Sequence, residues 1–379
     1  MHCTKQATIR RIMSQTASRM PLIDAFKAVA SQIILLHHLS SYGPIAATLR
    51  EAMPSLMGWL FEYGRMAVQV FLVIAGFLAA KGLSANGQAL ARSPLPLLWK
   101  RYLRLIVPFL GAIALAIVCS AIADHWMEDD AIPGRAGFLQ WLAHATLLHG
   151  VLGVDSLSAG VWYVAIDFQL FALMALLLWA GRAAWLAPAL ALGMGVASLF
   201  WFNRDASFDN WAIYFFGSYA LGAAAWWASD RRHLSAWMGA ILTVGVAALM
   251  FDFRLRILIA LAVALILAFG RRSQLLETWP NVRPLAFLGQ VSYSVFLVHF
   301  PLLLLVNGLY ALFELDSLAY AVSGWVAIWG ISIAVGTVFY HWLESPEASR
   351  RINKLLASGY HSVLEGGQKL LRRFATNDA

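Results

Sequence analysis

Within the apolar run from Ile23 to His38, a lysine and a histidine stand eleven residues apart, Lys27 and His38. On an α-helix that interval is three turns plus about 20°, so the two share one face, about 16 Å apart. His37 points about 100° away. A cation near one end of an apolar helix and an imidazole deep inside it suggest a general base with a charged group at its approach. The plainer reading stays open at this point: Lys27 reaches for the interface and His38 bonds a backbone carbonyl.

Four other clusters carry chemistry. Arg101 and Arg104, in Trp99–Pro108, are three apart on one helix face and could grip phosphates bidentately; alone, such a pair is more often an anchor at the membrane edge. Asp167 and Gln169 interrupt the apolar run Val161–Phe171, where Trp162 also stands. An Asp there needs a partner, and orienting His38 is one use for it; a structural hydrogen bond serves as well. Ser292, Tyr293 and His299 lie in Leu288–Pro301. Ser292 and His299 share a face, but two turns put them roughly 10 Å apart, too far for a nucleophile and its base. Glu344, in Tyr340–Pro346, is placed to pair with Arg101 or Arg104. There is no phosphate-binding glycine loop, no dinucleotide fingerprint and no metal-ligand spacing.

The elements that must hold these residues follow from composition. Of 379 residues, 60% are hydrophobic and 13% charged, and the mean hydropathy is +0.68. A soluble domain has about twice that share of charge. The chain therefore reads as all-α, a polytopic transmembrane helical bundle. A crossing needs about 20 apolar residues, which places spans near 22–41, 62–80, 105–123, 161–181, 184–202, 211–229, 234–252, 256–270, 287–313 and 319–343. The stretch 138–153 is shorter and holds His144 and His149; it is expected to be re-entrant or interfacial. Cys3 and Cys119 make neither a disulfide framework nor a metal site.

Charge orients the spans. With the N-terminus cytoplasmic and 138–153 not crossing, 22 of the 28 Lys and Arg fall inside and six outside. A crossing at 138–153 would make the split 13 to 15. The first reading obeys the positive-inside rule, so ten spans with both termini inside are expected. The net charge of +8 then belongs to cytoplasmic loops and not to a nucleic-acid surface. Residues 1–20 read as a basic cytoplasmic segment leading into an uncleaved first helix. Residues 21–345 form the transmembrane domain, and 346–379 an amphipathic basic tail on the inner surface. No appended soluble catalytic domain is expected, and any chemistry is expected inside the membrane part.

Taken together the motifs resemble the membrane-bound acyltransferase-3 family, the bacterial O-acyltransferases of surface polysaccharides and related acceptors. The resemblance runs over roughly residues 20–347. Lys27 and His38 match its basic-residue-x10-His signature, Val70–Leu78 its Phe-rich stretch ending in Gly-Phe-Leu, and Arg101 and Arg104 its Arg-x-x-Arg. Trp162 to Asp167 echo Trp-Ser-Leu-x-x-Glu, with Tyr163 for Ser and Asp167 for Glu. Ser292 to Pro301 echo Ser-Tyr-x-x-Tyr-Leu-x-His-x-Pro, with Phe296 for Tyr, and Glu344 to Pro346 match Glu-x-Pro.

The resemblance implies transfer of an acyl group, most often acetyl, from cytoplasmic acyl-CoA to a hydroxyl of an extracytoplasmic glycan or polysaccharide across a bacterial inner membrane. His38 and Asp167 would be catalytic, Lys27, Arg101 and Arg104 would hold acyl-CoA, and no cofactor would be bound permanently. A glycan transporter or flippase, and a non-catalytic partner in polysaccharide export, are the competing expectations. The oligomeric state and the acceptor's identity are not legible in the sequence.

Overall fold

In the computed structural model, residues 19–182, 185–229, 234–352 and 354 are described. All but the last two residues of the basic segment expected over 1–20, and most of the tail expected over 346–379, lie outside them. The described residues form helices and no strand. In chain order these are α1 (Pro21–Ser41), α2 (Gly43–Ala52), α3 (Pro54–Tyr63), α4 (Val68–Leu83), α5 (Leu95–Ala123), α6 (Phe138–Ala145) and α7 (Val161–Ala180). They continue with α8 (Leu186–Phe200), α9 (Ala212–Ala228), α10 (Leu234–Phe251), α11 (Leu255–Arg272), α12 (Leu275–Thr278), α13 (Arg283–Leu312) and α14 (Leu318–Phe339).

Prolines begin several of them: Pro21, Pro44, Pro54 and Pro284 sit in a first turn, where a missing N–H costs nothing. Asp24 in the first turn of α1 complements the helix dipole and takes the guanidinium of Arg19 at 3.0 Å. Each of the ten expected spans coincides with a helix. Among the described residues, seven helical stretches are long and apolar enough to cross a membrane. Of the others, α9 has 17 residues and α11 carries Arg256, Arg271 and Arg272 near its ends. The chain is a multi-pass membrane protein.

Helix direction decides what 138–153 does. Gly289 lies against the Asp24 carbonyl, the His299 and His38 rings touch, and Asn307 accepts from the Ile45 amide. Contacts therefore advance in step along α1 and α13, which run parallel. The same holds for α4 and α9: Gln69 meets Ser218, Val73 meets Gly222, and Ser84 and Ala85 meet Trp227 and Trp226. Parallel pairs need an even number of crossings between their first residues, so 138–153 contributes none. Its only helix, α6, has eight residues, about 12 Å.

The segment nonetheless goes deep. Tyr102 donates to the Ala145 carbonyl at 2.7 Å, and Phe109 packs on the rings of His144 and His149. It leaves α7 to begin far inside the bundle, with Gly160 on the Phe296 ring, halfway along α13.

Close backbone approach holds the helices together. A Cβ at Gly222 would sit 2.0 Å from the Val73 oxygen, and one at Gly76 1.9 Å from the Tyr219 oxygen. Small residues at such crossings are how helices associate in lipid, where apolar area alone gives no drive. Away from the site, Arg254 and Arg256 clamp Leu199, Asn203 and Tyr214. They fasten the loops at the opposite end of the bundle from Arg101.

Candidate active site

Helices α1, α4, α5, α7 and α13 surround a cavity of about 190 Å³. Lys27 from α1, Arg101 and Arg104 from α5 and Glu344 after α14 supply its charge. The stretch Val68–Leu78 supplies an apolar wall through Phe71, Ile74, Ala75 and Leu78. Tyr163, Val164 and Asp167 enter from α7, and Ser292, Tyr293 and Phe296 from α13. Residues more than 300 positions apart in sequence thus share one chamber, brought there by the parallel α1–α13 pair.

Asp167 bonds Arg101 at 2.5 Å, with the carboxylate side chain 8% exposed and the guanidinium 27%. This departs from the expected pairing with His38. The reason is depth: α7 starts near the middle of α13, so Asp167, about 9 Å further on, reaches the arginine and not the histidine. Arg101 also lies over the Phe171 ring at 5.3 Å, and its Nε has no partner. Glu344 likewise departs from expectation. It accepts from Ser294 at 2.6 Å and feels the charges of Lys27 and Arg104, with no bond to Arg101. Ser292 donates to the Gly289 carbonyl, which leaves it satisfied within its own helix, and Tyr293 donates to the Leu105 carbonyl at 3.3 Å.

His38 lies behind the cavity wall. Its ring centroid is 5.0 Å from that of His299, 5.1 Å from His37 and 5.7 Å from Tyr42. His299 in turn packs at 5.9 Å on Phe296, which lines the cavity and meets Tyr163 edge to face. Between the charged chamber and His38 stand one aromatic ring and one imidazole. His37 is turned away, its Nδ1 on the Leu60 carbonyl at 3.1 Å.

Trp162, grouped by sequence with Asp167, faces elsewhere. It lines a second cavity of about 270 Å³ with His149, Gln169, Asp209, Asn210 and Phe215. His149 stacks on His144 at 4.2 Å, and neither of its ring nitrogens has a partner. Burial and the neighbouring ring hold its pKa down to about 4. Sequence reasoning passed over Tyr163 and Phe296 as mere departures from a motif. Their helical spacing to Asp167 and Ser292, four residues each, was the available signal that they share those faces.

A family description of an acyltransferase domain matches residues 21–341. The chain belongs to the acyltransferase-3 family. A curated relative, the "Regulator of hypoxia-inducible factor 1" of Caenorhabditis elegans, is 24% identical over 181 residues. That match takes in 43% of this chain and 35% of the relative's length. No solved structure matches the chain. The family match extends across α1, α4, α5, α7 and α13, the helices that line the charged chamber, and ends three residues before Glu344.

Proposed function

We propose that this membrane acyltransferase takes an acyl group, acetyl being the expected one, from cytoplasmic acyl-CoA and passes it to a hydroxyl of a glycan or polysaccharide outside a bacterial inner membrane. The observation that carries the reading is the single chamber that joins Lys27, Arg101 and Arg104 to an apolar wall and backs onto His38. Three cations suit a donor carrying several phosphates. The free Nε edge of Arg101 and the exposed Arg104 are the groups to take them. The wall of Phe71, Ile74 and Leu78 suits an uncharged arm that carries a thioester inward.

In the reaction, His38 takes the proton of the acceptor hydroxyl. The oxygen attacks the thioester carbonyl, the C–S bond breaks, and the leaving thiolate recovers the proton from His38. Asp167 holds Arg101 in place for the donor and stays outside the proton path. The basic surplus on the Arg101 side supports a cytoplasmic donor.

Sealed vesicles test the reading. Acetyl-labelled CoA supplied only on the Arg101 side should label glycan on the far side, and His38→Ala should not. Label that never leaves CoA, or wild-type transfer by His38→Ala, would overturn it.

A further inference from the structure

The described residues around His38 pose a chemical question that its role as a base sharpens: what fixes its tautomer? Asp167 is spent on Arg101 and Glu344 on Ser294. His37 is tied to Leu60, and Tyr42 meets the His38 ring face on, at 17°. His299 remains. It is 1% exposed, and its Nδ1 lies 2.7 Å from the Phe296 carbonyl oxygen. A carbonyl only accepts, so Nδ1 carries the hydrogen. A neutral imidazole has one N–H, which leaves a bare lone pair on Nε2. That Nε2 is buried with no partner, and so is Nδ1 of His38 in the adjoining ring. A fixed acceptor and an unassigned nitrogen, both orphaned, therefore sit in rings whose centroids are 5.0 Å apart.

We infer that His299 is the positioning residue for His38: its Nε2 accepts the Nδ1–H of His38 and so leaves the Nε2 lone pair of His38 for the acceptor hydroxyl. The inference rests on the proposed function and adds to it the group that orients the base. Buried polar atoms in low dielectric are costly unless paired, so a small rotation of either ring that closes the bond is favoured when the site is engaged. When His38 takes the hydroxyl proton on Nε2, its Nδ1–H is already shared with His299, and the cation is stabilised without a carboxylate. His38 returns that proton to the thiolate, and His299 keeps its own hydrogen on Phe296 throughout. The third member of this arrangement is set by the helix itself, through a carbonyl three residues back.

Two substitutions in the full-length protein separate orientation from mere packing. Asn at 299 can keep the donor to the Phe296 carbonyl but has nothing at the Nε2 position. Gln reaches that position with an amide oxygen. His299→Asn should lower kcat about 100-fold, the low end of general-base effects, with the donor KM unchanged. His299→Gln should keep about a tenth of wild-type kcat. Equal losses in both, or a raised donor KM with kcat intact, would overturn the assignment.

A second measurement needs no turnover. In protein labelled with [15N]His, with His38→Ala used to assign the resonance, His38 should report the Nδ1–H tautomer in wild type and lose it in His299→Asn. A wild-type Nε2–H tautomer would overturn the inference. This holds even if no acyl transfer is found, which would count against the proposed function alone, and even if His299→Asn fails to accumulate.

Discussion

Two parallel helix pairs in this bundle meet opposite demands. Where α4 crosses α9, backbone touches backbone: Gly76 and Gly222 sit on opposing carbonyls, each with an Ala on one side (Ala75 and Ala223), and Gln69 accepts from Ser218 at 2.6 Å. Where α1 runs beside α13, the approach is just as close at Gly289, yet the pair spreads to admit His38, His299, Phe296 and a charged chamber. It also leaves two ring nitrogens unpaired. The first pair is satisfied and closed. The second holds unsatisfied groups in fixed positions, and it can do so because the first anchors the wall that faces it.

The largest effect expected from breaking this contrast is in the closed pair. Gly222→Leu would drive a side chain into the Val73 backbone, which cannot move without parting α4 from α9. Overpacking costs about 1–3 kcal/mol even where neighbours can adjust, so the variant should fail to accumulate in membranes, read by immunoblot. His38→Ala should do the reverse. Protein level stays normal, and transfer falls by about 10²–10⁴-fold.

Next comes the ion pair. Asp167→Asn strands the largely buried Arg101, and losing one partner of such a pair costs up to about 3 kcal/mol. The thermal midpoint should fall, and acyl-CoA should recover part of it by supplying the missing negative charge. Recovery equal to that of wild type would sever Arg101 from the donor. Arg104→Ala should be milder, raising the donor KM several-fold while kcat holds, since an exposed cation contributes through its charge alone.

The smallest effect lies in the re-entrant segment. The His149 pKa is lowered from 6.5 to about 4, so the folded state binds fewer protons than the unfolded one between those values. Its contribution is whole above pH 6.5 and is lost as pH falls through 4. Thermal midpoints taken across that window should drop less in His149→Phe than in wild type.

Much of this was legible in the chain. Ten apolar runs mark ten helices, because a segment that must satisfy its own backbone in lipid declares itself by length and hydropathy. The basic residues predicted that 138–153 does not cross, and the parallel α1–α13 and α4–α9 pairs agree. The resemblance implies that Lys27, Arg101 and Arg104 gather about one donor, and they line one chamber. The partners were not legible. Periodicity gives the face a residue occupies within its own helix and says nothing of the depth at which one helix starts against another. Asp167 is therefore expected beside His38, where α7 does not reach, and Glu344 in an ion pair with the arginines, whereas it shares their chamber and takes its hydrogen bond from Ser294.

The sequence by itself determined that this is a helical membrane protein, which runs lie in lipid, and which polar residues lie among them. These depend on local composition and spacing. Tertiary structure alone decided which of those polar groups meet, because that turns on a re-entrant loop that sets the level of α7 and on glycine contacts that set the register of α13 against α1. Both are long-range steric constraints, and no window of the chain contains both sides of either.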